Sequence, residues 1–201
     1  MKKLSSTLPH MVLSLGLVSI IAAGLLGGMY VLTKEPVAAQ EKQARISAIK
    51  QVAPEFDNDP EADAREFTVA SGVVCTVYPA FLDGRFNGAA VSTSSMDGFA
   101  GEIRVMAGFT ASGEVKDYQV LSHAETPGLG SKMQLWFRDP KGARSVLGKS
   151  PATTSFYVVK DTEQKGEIDG ITAATISSRA FLGALRDAFD AYTKYSKENE
   201  K

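Results

Sequence analysis

The stretch GEIRVMAGFTASGEVKDYQVLSH, residues 101–123, decides the fold of this 201-residue chain. Ile103, Val105 and Ala107 alternate along its first half, and Val115 and Tyr118 alternate less regularly along its second half. A period of two is typical of a strand with one buried face. Residues 111–113 supply small and flexible residues for a turn. The stretch therefore predicts two adjacent strands joined by a short turn.

The same kind of pattern extends outward on both sides. Further strands are predicted for residues 67–78, for AAVSTSS (89–95) and for TTSFYVVK (153–160), with turns at Asp83-Gly84, Asn87-Gly88 and MDGFAG (96–101). SKMQLWFRD (131–139) predicts a short helix. From Thr175 onward, apolar residues recur every three or four positions: Ile176, Ala180, Phe181, Ala184, Leu185, Ala188, Phe189 and Tyr192. That spacing predicts a long amphipathic helix. Strands in the middle with flanking helices indicate an α+β fold with a mainly antiparallel sheet.

The N-terminal segment indicates one transmembrane helix. Residues 11–33 contain no charged residue, and a helix of that length reaches roughly 34 Å, enough for a hydrocarbon core of about 30 Å. A secretory signal peptide is the alternative, since residues 36–40 offer small residues for cleavage, although its apolar part would usually span only about 7–15 residues. Lys2 and Lys3 precede the span, so we expect residues 1–10 in the cytoplasm and the remaining chain across the membrane.

Residues 34–65 are expected to connect the span to a domain formed by residues 66–201. Ile46, Ile49 and Val52 are three residues apart and predict a short amphipathic helix that Pro54 ends. The acidic stretch DNDPEADARE (57–66) indicates a linker. The net charge of −1 gives no electrostatic footprint for nucleic acid. One cysteine, expected to be a buried thiol, and two distant histidines argue against a metal site of the usual zinc type.

HAETPGLGSK, residues 123–132, connects a predicted strand to a predicted helix. Pro127 fixes its own φ, while Gly128 and Gly130 permit conformations that other residues resist. A loop of this composition lets the backbone approach a flat cofactor closely. It is equally typical of a tight connector in which Glu125 is only a solvated charge.

DGITAATISS, residues 169–178, contains four hydroxyl residues at the start of the last predicted helix. A turn at Asp169-Gly170 and Thr172 as the N-cap would account for part of the stretch. Thr175 would then lie in the first helical turn with its hydroxyl free. The free amides of a helix start favour an anion, so a phosphate beside this hydroxyl is the second interpretation.

The two stretches, in this order and about 40 residues apart, resemble the FMN-binding domain of the G subunit of the Rnf electron transport complex. Residues 97–130, DGFAGEIRVMAGFTASGEVKDYQVLSHAETPGLG, resemble that family along their whole length, as does the single span ahead of them. The chain is also similar to the C subunit of the sodium-pumping NADH:quinone reductase. The resemblance covers nearly the whole chain.

The resemblance implies a flavoprotein with FMN joined through its phosphate to Thr175 by a flavin transferase. It implies further flavin-site residues in the two stretches: Glu125, Thr126, Pro127, Gly128, Leu129, Gly130, Asp169, Gly170, Thr172, Ala173 and Ala174. Backbone groups and Thr126 are expected to contact the flavin, and Leu129 to pack on its ring. His123 is expected to be structural, and Ser177 and Ser178 to be helix-start hydroxyls. Ala173 stands where the family often has glycine, so the turn before Thr175 departs from the family pattern.

The resemblance also implies a function. The chain would be an electron carrier in the bacterial inner membrane, with its flavin domain on the extracytoplasmic side and other membrane subunits as partners. The complex would move electrons between ferredoxin and NAD and couple this transfer to ion translocation. The alternatives are the equivalent subunit of the quinone reductase and a membrane-tethered binding module without flavin.

Overall fold

A computed structural model describes residues 7–199. These residues divide into two compact units, with the boundary between Ala44 and Arg45. The regular elements are α1 (Leu8–Val52), β1 (Arg65–Thr68), β2 (Val74–Leu82), β3 (Arg85–Gly98), β4 (Gly101–Thr110), β5 (Val115–His123), α2 (Met133–Trp136) and α3 (Thr175–Asn199). Short 3₁₀ turns lie at Gly130–Lys132 and Thr162–Gln164. The fold is α+β, as the sequence predicts.

The first unit is the apolar part of α1. This helix is long and apolar enough to cross a membrane. It continues through Pro36 to Val52, so the predicted short helix around Ile46–Val52 is the last part of α1 rather than a separate element. Lys2 and Lys3, which set the predicted orientation, lie outside the described residues.

The sheet of the second unit is a simple meander in which β1 to β5 lie side by side in chain order and all pairs are antiparallel. The predicted hairpin of residues 101–123 is confirmed as β4 and β5, with the turn between them containing Gly113 at φ +80°. Asp83 and Gly84 form the β2–β3 turn, and both have positive φ. The sheet is therefore built from local hairpins, each closed by its own turn residues.

Three strand and turn predictions are wrong. Residues 67–78 form two strands, because the chain turns at residues 69–73 with Gly72 at φ +84°. Asn87-Gly88 is not a hairpin turn but an irregularity inside β3, where the register with β2 shifts. Residues 153–160 form no strand and contribute only an isolated bridge from Val158 to Ile168.

The sheet is buried on both faces. One face packs against α3, with Phe181, Leu182 and Leu185 fully buried. The other face packs against the last turns of α1 through Ala48, Ile49 and Val52, together with Tyr78 and Met106. Along β4 the alternation is strict: Ile103, Val105, Ala107 and Phe109 face α3, and Met106 faces α1. Cys75 is a buried thiol on the α3 side, as expected.

Close approach fixes the end of α1 on the sheet. A Cβ on Gly108 would lie 1.8 Å from the carbonyl oxygen of Val52, so only glycine lets the helix lie this near to β4. Lys116 donates from Nζ to the Ala53 carbonyl oxygen at 2.5 Å. A cation on the last carbonyls of a helix also interacts favourably with the helix dipole.

Tyr118 anchors the end of the loop that follows β5. Its hydroxyl donates to the Met133 carbonyl oxygen at 2.7 Å, and Arg138 stacks over its ring with the guanidinium carbon 4.5 Å from the centroid. Burial raises the pKa of Tyr118, so the phenol stays neutral and remains a donor. The contact anchors α2 and thereby fixes the end of the loop that begins at His123.

Candidate functional site

A cavity of about 350 Å³ opens at one end of the sheet. Three segments meet there: the β3–β4 turn, the loop after β5 and the start of α3. The antiparallel register brings the β3–β4 turn close to the loop after β5, because Gly98 pairs with Gly101 at the turn and Ile103 pairs with His123 at the end of β5. The cavity is lined by Phe99, Glu125, Thr126, Leu129, Gly130, Ala173, Ala174, Thr175, Ile176 and Ser177. Its volume lies within the usual range for small-molecule sites.

The loop on one side of the cavity is a Pro-Gly turn. The amide of Leu129 donates to the Thr126 carbonyl oxygen at 3.1 Å, with Pro127 and Gly128 as the two central residues. Gly128 has φ +76°, which matches a type II turn. Pro127 and Gly128 are not among the lining residues, so they shape the loop, while Thr126 and Leu129 face the cavity.

The turn that precedes Thr175 is closed by Ser178. The Ser178 hydroxyl accepts from the Ile171 amide and donates to the Ala174 carbonyl oxygen, both at 2.9 Å. The Ala174 amide donates to the Ile171 carbonyl oxygen at 3.0 Å. Ser178 is therefore a buried hydroxyl in the first turn of α3, and it stabilises the turn before Thr175.

Helix α3 begins at Thr175 and not at Thr172. The prediction of Thr172 as the N-cap is wrong, because the turn at residues 171–174 places it outside the helix, where it is exposed. Within residues 7–199, the amides of Thr175, Ile176 and Ser177 have no acceptor, whereas the Ser178 amide donates to Ala174. Three free donors at a helix start form a site for an anion.

Ala173 occupies a position that favours glycine. Its φ is +62°, in the left-handed region that costs a residue with a Cβ roughly 1–2 kcal/mol. The chain thus keeps the turn with alanine at a position whose backbone conformation suits glycine better. The small side chain still faces the cavity.

We expect Ala173→Gly to stabilise the domain by about 1 kcal/mol, because glycine relieves the left-handed strain at some cost in the entropy of the unfolded chain. Thermal or urea unfolding of the isolated variant and parent protein measures the change. Ala174→Gly is the matched control, since Ala174 has no positive φ, and this variant should lose stability. A loss of equal size in both variants would contradict the strained turn.

Asp169 and Gly170 support the turn before Thr175 without lining the cavity. The Asp169 carboxylate accepts from the Ala143 amide at 3.0 Å, and its carbonyl oxygen accepts from the Trp136 indole at 2.8 Å. A Cβ on Gly170 would lie 3.1 Å from a methyl of Val158 and 3.5 Å from the Ser178 hydroxyl. Both residues therefore position the turn, and neither lines the cavity.

The large side chains on the cavity walls are apolar, with the exception of Glu125. Phe99, Leu129 and Ile176 remain 69%, 39% and 49% exposed, which is unusual for large apolar side chains that cluster around one cavity. Glu125 is the one charged residue among the lining side chains, and it is only 5% exposed. Phe99 and Ile176 were not predicted as site residues, although a lone aromatic between Gly98 and Gly101 in a turn is a usable signal.

This site fits FMN on its own chemistry. An isoalloxazine ring is flat and largely apolar, so it can pack against the exposed apolar side chains of Phe99, Leu129 and Ile176. Its phosphate is an anion, which suits the free amides at the start of α3. The Thr175 hydroxyl, half-buried on the cavity wall, lies in the first turn of that helix.

The fold and the cavity define a cofactor-binding domain, and comparison with known proteins gives its class. Residues 98–190 match the family described as an FMN-binding domain. Residues 1–52 match the family described as the RnfG N-terminal region.

Full-length relatives agree with these two matches. The chain is 32% identical to the G subunit of the ion-translocating oxidoreductase complex from Aliivibrio fischeri strain MJ11, over 96% of this chain and 94% of that protein. It is 32% identical to the protein of the same name from Cereibacter sphaeroides ATCC 17023, over 92% and 84%. For the Stutzerimonas stutzeri protein of that name, the identity is 34% over 88% and 78%. The chain belongs to the RnfG family.

Proposed function

We propose that this chain is the flavoprotein subunit of an Rnf-type ion-translocating electron transport complex and carries electrons through FMN bound covalently to Thr175. The observation that carries the proposal is the position of Thr175. Its side chain lines a cavity with apolar walls, and the amides of residues 175–177 are free at the same helix start. The family assignment supports the Rnf complex over the quinone reductase, and the FMN-binding match argues against a module without flavin.

In this proposal the Thr175 oxygen forms the new bond to phosphorus and loses its proton. A flavin transferase supplies the flavin phosphate as a phosphoanhydride, whose P–O–P bond breaks so that its second phosphate-bearing group leaves. The resulting phosphodiester keeps one negative charge, which the amides of Thr175, Ile176 and Ser177 can meet. Ala173 and Ala174 are small enough to leave room beside it. The Ala174 amide is not part of this set, because it already donates to Ile171.

The remaining cavity residues would place and shield the ring. Leu129 offers an apolar face, and Thr126 supplies a hydroxyl on the same loop. FMN supplies the electron-carrying chemistry when bound, and the protein sets its orientation and surroundings. As in the family, the complex would move electrons between ferredoxin and NAD, with the other membrane subunits as partners.

Peptide mapping of protein purified from its native host tests the attachment. One FMN on the peptide that contains Thr175 is the expected result. Flavin on Thr172 or Ser177 alone, or a protein of unmodified mass from the native host, would reject the assignment. The native host matters, because a heterologous host without the transferase would leave the chain unmodified.

The flavin domain is proposed to lie on the extracytoplasmic side of the bacterial inner membrane, because Lys2 and Lys3 precede the span. A reporter enzyme that is active only outside the cytoplasm, fused to the C-terminus, should therefore be active. A second reporter that is active only inside should remain silent. The reverse pattern would overturn the orientation, and a mature N-terminus within residues 36–40 would show that the span is a cleaved signal.

A further inference from the structure

The carboxylate of Glu125 joins the segments that form the cavity. Oε2 accepts from the Ser177 hydroxyl at 2.6 Å, and Oε1 accepts from the Ala100 amide at 3.1 Å. Ser177 lies two residues after Thr175 in α3, and Ala100 lies at the tip of the β3–β4 turn. The Glu125 amide donates to Nδ1 of His123 at 3.2 Å, which fixes the start of the loop. One side chain therefore connects all three walls.

Two glycines leave the space that this carboxylate occupies. A Cβ on Gly130 would lie 2.5 Å from Glu125 Oε2 and 2.6 Å from Ser177 Oγ. A Cβ on Gly98 would lie 2.2 Å from the Gly101 carbonyl oxygen and 2.8 Å from Glu125 Oε1. Neither glycine has a positive φ, so the need here is for space rather than for conformation. Gly130 therefore leaves the space that the acid and Ser177 fill, whereas Gly98 is required both by the acid and by the backbone of Gly101.

Among the described residues, the Glu125 carboxylate has no cationic partner. Within residues 7–199, no lysine, arginine or histidine lies within ion-pair distance of the Glu125 carboxylate. Burying a carboxylate costs free energy unless it is paired or hydrogen-bonded, and a neutral amide of equal size would avoid most of that cost. A negative charge retained on a cavity wall acts strongly on a neighbouring group, because little water screens it.

We propose that Glu125 is a positioning residue that holds the β3–β4 turn against the start of α3, and that its negative charge lowers the reduction potential of the flavin in the cavity. This inference rests on the proposed function, since it places the flavin beside Glu125. A nearby negative charge disfavours the addition of an electron. The two roles depend on different properties of the side chain. Its length lets it contact both the β3–β4 turn and α3, and its ionised oxygens supply the negative charge near the flavin.

Two variants separate charge from reach. Glu125→Gln keeps the length and removes the charge, and Glu125→Asp keeps the charge and shortens the reach. We expect spectroelectrochemical titration of flavinylated Glu125→Gln to show a higher potential, by at least a tenfold change in the oxidised-to-reduced ratio. That is about 30 mV for a two-electron couple or about 59 mV for a one-electron couple. Glu125→Asp should keep a potential within that limit and show faster hydrogen exchange at the Ala100 amide.

Glu102→Gln is the control, because it makes the same change of charge at an exposed position close to the same turn. Solvent screens the charge of Glu102, so the flavin potential of Glu102→Gln should equal that of the parent protein. A Glu125→Gln potential equal to that of Glu102→Gln would overturn the inference. If Glu125→Gln does not fold, Glu125→Asp decides: a tenfold or larger shift in its potential, or unchanged exchange at Ala100, would overturn it.

Mass analysis of each protein separates this inference from the proposed function. Absence of flavin on Thr175 in the native parent protein rejects the proposed function and, with it, the electrostatic role of Glu125. The positioning role is still tested in that unmodified protein, where Glu125→Asp must speed exchange at Ala100. With flavin present on Thr175, an unchanged potential in Glu125→Gln rejects the inference alone.

Discussion

Thr175→Ala should abolish covalent flavin while the domain stays folded. The variant lacks the only atom of that residue that can form the phosphodiester, so we expect complete loss of the flavin mass and of flavin fluorescence in denaturing gels. Stability should change by less than about 0.5 kcal/mol, because the half-buried Thr175 side chain makes no hydrogen bond within the described residues and substitutions away from a packed core are usually mild. Protein expressed in the native host, compared by intact mass and thermal unfolding, provides both measurements.

Thr172→Ala is the matched control for that experiment. It removes the same kind of hydroxyl three residues earlier, at an exposed position that does not line the cavity. This variant should carry flavin at the level of the parent protein. Thr175→Ser provides a second check, since it keeps the hydroxyl and should recover part of the loading. Flavin on Thr175→Ala together with its loss from Thr172→Ala would show that the acceptor is misassigned.

Gly130→Ala is expected to damage both the fold and the flavin site. The added Cβ would collide with Glu125 and Ser177, which are themselves bound to each other. Overpacking at a buried position costs about 1–3 kcal/mol, and relief of the collision must move the loop that carries Thr126 and Leu129. We therefore expect lower unfolding free energy in urea and clearly lower flavin occupancy in the protein that folds.

Gly128→Ala separates this collision from a general loss of loop flexibility. Gly128 has φ +76° and open space around it, so alanine there brings strain of about 1–2 kcal/mol but no collision. A similar loss of stability with nearly full flavin occupancy is the expected result. If Gly128→Ala loses as much flavin as Gly130→Ala, the two glycines act alike and the collision does not explain the effect.

Sequence patterns predict the elements whose signals are local. The β4–β5 hairpin follows from the alternation of Ile103, Val105 and Ala107, and α3 follows from its helical spacing. Both were confirmed because burial of one face enforces the period. Asn87-Gly88 carries an equally strong local turn signal but lies inside β3, where Gly88 has φ +137° and the Asn87 side chain donates to the Glu55 carbonyl oxygen. There the long-range pairing of the sheet outweighed the turn preference.

The site likewise contains residues that local sequence motifs predict and a long-range contact that they do not. Thr126, Leu129, Gly130 and Thr175 were predicted from two motifs, and the structure places them around one cavity. The contact between Ser177 and Glu125 spans 52 positions of the chain, and neither motif contains a signal for it. Ser177 was instead predicted as a helix-start hydroxyl, because its spacing within the motif is all that the sequence shows.

The meander has a consequence for the order in which the domain can fold. Each strand pairs with the strand next to it in the chain, so the sheet can form hairpin by hairpin with short loop closures, which is the faster route for a β structure. Helix α3 is different, because it follows all five strands among the described elements and packs across β2, β3 and β4. Its first turn also contains Thr175. We expect the docking of α3 onto the finished sheet to bring the hydroxyl of Thr175, the proposed acceptor, to the cavity wall, so that a transferase that recognises this geometry would modify only folded chains.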